Sequence, residues 1–259
     1  MRTAKVLVRM LGLGLVLTTI GAIAAPDPVA AYGFNNTLIS SVAGAPALTV
    51  TDPHNTSGFG SDVVFGSNQT VYNFVGTNDN AGQAGLSLST AGLLTSNSVY
   101  TVEIVFKFTE RENAWRRILD VQNRQSDNGF YVNPGNNLDV FPIAGGASFT
   151  NGVYHDVFLS ANNGVVKFYL DGSAQATITT AVMNVDSNNL MNFFLDNIVA
   201  GGQGEYSSGS VAAVRLYNVA LGDNEIPPVP GIPEPETYAL MLAGLGVVGA
   251  MARRRKQPV

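Results

Sequence analysis

Residues 99–109 constrain the fold more than any other part of the chain, because large apolar side chains occupy every second position. Five residues share one face of this segment: Tyr100, Val102, Ile104, Phe106 and Phe108. The opposite face carries Thr101, Glu103, Val105 and Lys107. A period of two is typical of a β-strand that packs one face on a core. We therefore predict a sheet in which Phe106 lies at the centre of the buried face.

Shorter runs with the same alternation, separated by turn residues, fill the rest of the body. Asn163-Gly164 predicts a tight hairpin between strands at 153–160 and 165–170, and Asp171-Gly172 predicts a further reversal into 174–179. Other predicted strands cover residues 71–75, 118–121, 129–132, 138–141, 192–195 and 211–217. Residues 32–220 contain no long window with helical periodicity and caps. These patterns predict an all-β domain, an antiparallel β-sandwich or jelly roll, over residues 32–226.

The amino end has the features of a secretory signal peptide. Three basic residues precede an uncharged stretch at 10–23, and the small residues Ala24 and Ala25 follow it. We expect residues 1–25 to be the signal peptide, with cleavage after Ala24 or as late as after Ala31. The alternative is an uncleaved membrane anchor.

The carboxyl end has three parts in order: a proline-rich linker at 227–237, an uncharged stretch at 238–252 and a basic tail at 253–259. Proline fixes the backbone, so the linker is stiff. As a helix, the uncharged stretch would be roughly 22 Å long, which is short for a bilayer core of about 30 Å. We therefore expect a short transmembrane helix. Its basic stop should remain cytoplasmic by the positive-inside rule, and comprises Arg253, Arg254, Arg255 and Lys256.

Pro233, Glu234 and Pro235, followed by the apolar stretch and the arginine-rich tail, resemble the PEP-CTERM sorting signal of Gram-negative bacteria. The resemblance implies processing by an exosortase in a bacterium that makes exopolysaccharide. The expected route is export, a transient stay in the inner membrane, and then the cell surface or the extracellular matrix. The alternative is an ordinary tail anchor, which would make this a permanently membrane-anchored envelope protein.

The body carries a second resemblance. Ala31-Tyr-Gly-Phe-Asn-Asn-Thr-Leu38 opens it, the strand at 100–108 and Phe168-Tyr-Leu-Asp-Gly172 follow, and residues 209–221 with Glu225-Ile226 close it. Together these segments resemble a laminin-G-like domain of the concanavalin A-like superfamily, over most of residues 32–226. The resemblance implies a curved two-sheet sandwich with any binding site at a rim or on the concave face. A fold does not determine a function by itself.

We find no catalytic constellation in the sequence, so we expect no enzyme. Hydrolysis of a glycan needs paired carboxylates, and the nearest pair, Glu110 and Glu112, lies in a stretch that is typical of a solvated loop. The two histidines, His54 and His155, are far apart in sequence, and the pattern around His155 favours a hydrogen-bonded strand residue. Cysteine is absent from the chain. The alternative that remains is a glycan-active hydrolase of the same superfamily.

Calcium is the one cofactor that the residues suggest. Asp196, Asn197 and Glu205 flank a glycine-rich loop and offer the oxygen ligands that Ca²⁺ prefers, although turn capping by Asp and Asn is the ordinary role of such residues. Trp115 is the single tryptophan and a candidate sugar-stacking residue, although a lone tryptophan is more often part of the core. Its neighbours Arg116 and Arg117 either attract an acidic polysaccharide or form local ion pairs with Glu110, Glu112 or Asp120.

The charge of the body narrows the choice of partner. Residues 32–226 hold seven basic and sixteen acidic residues, a net charge of −9, with no basic stripe for nucleic acid phosphates. The sequence therefore predicts an exported, non-enzymatic module. It would act as a structural element or bind an exopolysaccharide or another surface glycan.

Overall fold

The computed structural model describes residues 25–79, 82–199 and 205–229, which form two antiparallel β-sheets around one core. All the secondary-structure elements within these ranges are β-strands. Accordingly, these ranges hold no helix with the length and apolar character needed to cross a membrane. The architecture is the all-β sandwich that the alternating segments predict.

The strands carry the following labels in chain order. They are β1 (Ala30–Tyr32), β2 (Thr49–Thr51), β3 (Gly58–Val64), β4 (Ser67–Val75), β5 (Gly85–Ser89), β6 (Val99–Phe108), β7 (Arg116–Asp120), β8 (Gly129–Val132), β9 (Asn137–Phe141), β10 (Ala144–Ser148), β11 (His155–Asn162), β12 (Val165–Leu170), β13 (Ser173–Thr179), β14 (Leu190–Phe193) and β15 (Ser208–Tyr217). The first sheet has eight strands in the order β13-β12-β11-β6-β15-β4-β3, and β1 pairs with β15 beside this path. The second has seven, in the order β10-β9-β8-β7-β14-β5-β2.

The central strand of the first sheet behaves as its alternation predicts. The five residues of its apolar face are all buried in the core between the two sheets. Phe106 packs against Phe149 and Phe194, with 5.3 Å between ring centroids in each pair. Phe194, which follows β14, also stacks on Phe74 at 4.0 Å. Aromatic rings from both sheets thus form the centre of the core.

The opposite face of β6 is also buried, which the alternation alone does not predict. Thr101, Glu103 and Val105 are nearly inaccessible to solvent. One end of this outer face is covered by the segment after β15, through Leu221 and Ile226, and the other by side chains of the β3–β4 hairpin. The outer surface of the eight-stranded sheet is therefore partly enclosed and holds charged residues away from water.

The predicted turns take the expected form. Asn163 and Gly164 have φ values of 47° and 87°, and they close the hairpin in which β11 pairs with β12. Asp171 and Gly172 also have positive φ and lead into β13. Asparagine, aspartate and glycine tolerate this left-handed region, which explains why these dipeptides mark two-residue hairpins.

The packed body extends slightly beyond residues 32–226 at both ends. The Val29 amide donates to the Leu216 carbonyl at 2.7 Å, and Ala30 is fully buried in β1. At the other end Val229 is buried, so the first residues of the predicted linker pack on the domain. The rest of the predicted signal peptide, the sorting motif, the transmembrane helix and the basic tail lie outside the described residues.

Candidate functional site

A buried polar network lies on the face of the seven-stranded sheet that points away from the core. Arg117 on β7 stands opposite Tyr131 on β8, and Asp120 stands opposite Asn192 on β14. A register shift between Arg117 and Leu119 interrupts the regular alternation of β7. Arg117 Nη1 then donates to Asp120 Oδ1 at 3.1 Å. The irregular strand thus pairs a buried cation with a buried anion.

Hydrogen bonds extend this network across the sheet. Ser87 Oγ donates to Asn192 Oδ1 at 2.7 Å, and Asn192 Nδ2 donates to Asp120 Oδ2 at 2.9 Å. The Arg124 amide donates to the same Asp120 oxygen at 2.8 Å. Burial raises the pKa of Asp120, and these donors together with Arg117 partly oppose the rise. Both oxygens of Asp120 are used, so this carboxylate is structural.

Three further carboxyl groups meet at the edge of the network. Asp127 precedes β8, Asp196 follows β14 and Glu205 precedes β15, yet one oxygen of each lies within 4.8 Å of the others. Asp196 and Glu205 face each other within this cluster, so the negative charge of one disfavours ionisation of the other. Burial raises the pKa of Glu205 to about 8, and the charges of Asp196 and Asp127 add to this effect. Glu205 Oε2 is buried and has no hydrogen-bond partner among the described residues.

Arg117 supplies much of the counter-charge for this carboxylate cluster of Asp127, Asp196 and Glu205. Its Nε lies 3.3 Å from Asp196 Oδ1, and its Nη2 lies 3.9 Å from Asp127 Oδ1. Arg124 lies nearby and donates to the Asp196 backbone carbonyl at 2.6 Å. With Asp120 included, four carboxyl groups therefore face two guanidinium groups. The group therefore has more carboxyl than guanidinium groups, and a bound cation or protonation of a carboxylate would neutralise the excess negative charge.

The spacing of the carboxylate cluster is one that a Ca²⁺ ion can bridge, with three of the about six to eight oxygen ligands that Ca²⁺ takes. Oxygens on opposite sides of a Ca²⁺ ion, each at about 2.4 Å, are about 4.8 Å apart. The observed upper separation of 4.8 Å is therefore compatible with three carboxylate ligands around one ion. The unpartnered Glu205 oxygen is a free ligand atom of the required kind. Asp127, Asp196 and Glu205 are the residues that would hold the metal.

The predicted candidates take different positions in this arrangement. Asp196 and Glu205 come together as the sequence suggests. Asn197 presents its amide nitrogen to the cluster, donating to Asp127 Oδ1 at 2.9 Å, while its Oδ1 accepts from the Val199 amide at 3.1 Å. Asn197 therefore orients a carboxylate in this structure. Asp127 was not predicted, because it lies far from Asp196 in sequence and only strand pairing brings the two together.

Trp115 borders a small pocket beside the carboxylate cluster. The pocket is lined by Trp115, Asp127, Tyr131, Phe141 and Glu205 and has a volume of about 50 Å³. The indole is half-buried and makes edge-to-face contacts with Tyr131 at 5.5 Å and Phe141 at 5.4 Å. This volume admits an ion with a few water molecules. A sugar ring would have to lie across the mouth of the pocket, which we call the aromatic pocket.

The arginines beside Trp115 are buried, so the interpretation that they attract an acidic polysaccharide is wrong. Arg117 pairs with Asp120, as the ion-pair alternative predicts. Arg116 donates to Asn151 Oδ1 and Asn136 Oδ1, at 2.6 Å in each case, and lies over the Phe108 ring. Side chains on neighbouring strands bury both guanidinium groups, and the local sequence does not reveal this.

The other residues weighed for chemistry lie away from the aromatic pocket. Glu110 and Glu112 are exposed in the loop after β6, as predicted. His155 is a hydrogen-bonded residue of β11, as predicted, with Nδ1 2.7 Å from Asp171 Oδ2. His54 Nε2 lies 2.8 Å from Asp79 Oδ2 on an exposed loop.

Comparison with protein families gives two matches. Residues 79–227 match the laminin-G-like model described as the concanavalin A-like lectin/glucanases superfamily. Residues 231–256 match the PEP-CTERM protein-sorting motif, which contains Pro233, Glu234 and Pro235. The motif implies an exported surface protein. A search of the curated proteins gives no match.

Solved structures share the fold at low sequence identity. Domain 4 of AbnA, a GH43 extracellular arabinanase from Geobacillus stearothermophilus solved with arabinotriose, has a TM-score of 0.57 at 19% identity. The match covers 77% of this chain and 96% of that domain. The botulinum neurotoxin serotype D/C binding domain has a TM-score of 0.52 at 9% identity, covering 77% of this chain and 50% of that one.

These likenesses show the fold alone. The family match covers more than half of the chain and includes strands β5 to β15 of the two-sheet sandwich. The chain therefore belongs to the concanavalin A-like lectin/glucanase superfamily, as a laminin-G-like domain followed by a PEP-CTERM sorting motif.

Proposed function

We propose that this protein is a non-enzymatic glycan-binding module of the cell surface or the extracellular matrix. The aromatic pocket is the observation that carries the proposal. It places three aromatic rings beside the carboxyl groups of Asp127 and Glu205. Aromatic faces pack against sugar C–H groups, and carboxylates accept hydrogen bonds from sugar hydroxyls. The arabinanase domain, which has a similar fold, was solved in complex with arabinotriose, and this supports an oligosaccharide as the class of ligand.

The charge of the domain favours a neutral glycan. Residues 32–226 carry a net charge of −9, so an anionic polymer is repelled at low salt. Calcium at the carboxylate cluster would reduce the local negative charge and fix the loops that carry Asp127 and Asp196. An acidic polysaccharide would then need calcium as a bridge. A neutral polysaccharide would use calcium only to order the pocket.

The sorting tail defines the route to this location. In the proposed route, residues 238–252 hold the precursor in the inner membrane, the basic stop stays cytoplasmic, and an exosortase acts near the Pro-Glu-Pro motif. Replacing Pro233, Glu234 and Pro235 together with alanine should leave the precursor in the inner-membrane fraction. Release at the wild-type rate would exclude exosortase processing and favour the permanently anchored alternative.

The test of glycan binding is affinity electrophoresis of the exported protein in gels that contain neutral or acidic polysaccharides. We expect at least one neutral polymer to retard the wild type. Trp115→Ala should weaken this binding by about tenfold, or ~1.4 kcal/mol, whereas Trp115→Phe keeps a ring and retains more affinity. Equal retardation of all three proteins would exclude the aromatic pocket as the binding site.

A second candidate is a glycan hydrolase that uses the pair formed by Asp196 and Glu205. The favouring observation is the close approach of these two carboxyl groups, with oxygens within 4.8 Å, which together with burial raises the pKa of Glu205 as in other paired acid–base carboxyls. Release of reducing ends from the same polysaccharides separates the two candidates. Product formation that Glu205→Gln abolishes would establish the hydrolase.

A further inference from the structure

A second cavity lies on the outer face of the eight-stranded sheet and is separate from the aromatic pocket. Its volume is about 260 Å³, and side chains of the β3–β4 hairpin, β15, β6 and β11 surround it. Five apolar residues contribute to its wall: Val64, Phe65, Val105, Ala212 and Ala213. Ala212 and Ala213 lie at a register shift between β15 and β6. Their small side chains leave the space open.

The polar end of this cavity holds two carboxyl groups and one guanidinium group. Glu103 stands opposite Arg215 on the neighbouring strand and forms an ion pair with it. Tyr217 donates its hydroxyl to the other oxygen of Glu103 at 2.8 Å. Both oxygens of Glu103 therefore have donors, and the charge of Arg215 is used by this pair.

Asp156 has no such partner. It stands opposite Val105 on β6, lines the cavity and is only 3% exposed. Its Oδ1 is buried and has no hydrogen-bond partner among the described residues. A buried carboxyl oxygen without a donor carries the full cost of its desolvation. The cavity therefore presents an unsatisfied acceptor next to an apolar wall.

We propose that this cavity binds a primary alkylammonium group, the chemistry of a lysine side chain or of a small free amine. The ammonium end would donate to Asp156 Oδ1. The methylene stem would lie against Val105, Ala212 and Ala213. This site is independent of the proposed glycan binding, because it lies on the other sheet.

The composition of the cavity selects this chemistry over others. An anion would meet Glu103 and Asp156 with no free cation, because Arg215 already pairs with Glu103. A neutral alcohol offers one donor and cannot form an ion pair with the carboxylate form of Asp156. An ammonium group offers three donors and a positive charge, and its hydrogen bonds to a carboxylate are about twice as strong as neutral ones.

Ligand binding should release a proton. The pKa of Asp156 is raised to about 8, mainly by burial. The negative charges of Glu103 and Asp171 contribute to the rise, whereas the positive charge of Arg215 lowers the pKa. Tyr217 faces the same carboxyls from β15, and the His155 ring lies on the other side of β11 against Phe149. Asp156 is therefore mostly protonated in the free protein at pH 7. An ammonium ion that pairs with its carboxylate displaces that proton.

The test is calorimetric titration of the full chain with n-butylammonium chloride at pH 7, in buffers with different ionisation enthalpies. n-Butanol is the uncharged control, and Nα-acetyl-lysine methylamide tests a peptide-borne amine. We expect butylammonium to bind and release close to one proton per site, and butanol to give no saturable heat. Binding of the lysine derivative as well would identify a lysine side chain as a source. Binding of butylammonium alone would identify a small amine.

Three variants make the test specific. Asp156→Asn should abolish binding and proton release, and Ala213→Leu should abolish binding by filling the cavity without a change of charge. Asp223→Asn is the matched control, since Asp223 is an exposed acid at the same sheet face, paired with Lys167. Equal heats from butanol, retained binding in folded Asp156→Asn, or equal loss in Asp223→Asn would overturn the proposal.

Discussion

At the residue scale, Arg117 determines the properties of the carboxylate cluster. It is fully buried and contacts Asp120, Asp127 and Asp196. No feature of the Trp-Arg-Arg segment distinguishes such a residue from an exposed arginine. Asp196 and Glu205 could be predicted from the sequence because they flank one loop. Asp127 and the role of Arg117 could not be predicted from the sequence, because both depend on which strands become neighbours in the sheet.

Loss of the Arg117 charge should destabilise the fold strongly. Arg117→Met leaves Asp120 and Asp196 buried without their cation, and removing one partner of a buried ion pair costs about 3–5 kcal/mol. Urea unfolding of the variant measures this loss. Lys167→Met is the control, since its pair with Asp223 is exposed and should contribute less than about 1 kcal/mol. Equal stabilities of the two variants would contradict the assigned role of Arg117.

Stability and calcium binding should depend on pH through Glu205. Its pKa is raised to about 8 in the folded protein, whereas the pKa of a glutamate in an unfolded chain is about 4.3. The folded state therefore binds more protons between these values, so stability falls as the pH rises through this window and levels off above it. Calcium competes with these protons, so the calcium-induced rise in melting temperature should be larger at about pH 8.5 than at about pH 6.

Melting curves in calcium and in chelator at both pH values test this dependence. Glu205→Gln should remove much of the calcium effect. The variant should also reduce the fall in stability with rising pH. The fall that remains should come from Asp156, whose pKa is also raised to about 8. A calcium effect of the same size at both pH values would show that no proton is displaced from the cluster.

At the element scale, the strands with clear alternation were predictable. Those that sequence reasoning missed are β1, β2, β3, β5 and β10. Three of these, β2, β3 and β10, are edge strands. An edge strand pairs on one side only and is often short or polar, so its side-chain pattern is weak. β10 is an example, since its sequence is Ala-Gly-Gly-Ala-Ser.

Phe106→Asp should unfold the domain. The ring lies at the centre of the aromatic core, and a buried charge without a partner costs several kcal/mol against a typical net stability of roughly 5–15 kcal/mol. Far-UV circular dichroism and urea unfolding measure the effect. Val165→Asp is the matched control on β12, where the side chain is 40% exposed, and it should remain folded. A stable Phe106→Asp variant would contradict the assigned face of β6.

At the scale of the whole molecule, the packed body sets limits on processing at both ends. Cleavage after Ala31 would remove Ala30 from β1 and the Val29 hydrogen bond to β15, whereas cleavage after Ala24 keeps both. We therefore expect the exported protein to begin at Ala25. Mass spectrometry of the secreted protein checks this. A mature form that begins at Tyr32 would contradict the structural role assigned to β1.

The carboxyl end keeps the domain near the membrane in the proposed route. Val229 is the last described residue and is buried on the domain. The nine residue steps from Val229 to Tyr238 span at most roughly 30 Å when fully extended. While residues 238–252 lie in the inner membrane, the sandwich stays within that distance of its outer surface. Exosortase would thus act on a motif close to a folded domain.

The aromatic pocket contains the only tryptophan of the chain, so its fluorescence reports directly on the proposed glycan site. The decisive measurement is a titration of the exported protein with soluble oligosaccharides from the retarding polymer, following Trp115 emission in calcium and in chelator. We predict a saturable change in emission with a tighter midpoint in calcium, and loss of the calcium dependence in Asp127→Asn. Saturable binding by calorimetry with unchanged Trp115 emission would contradict glycan binding at this pocket.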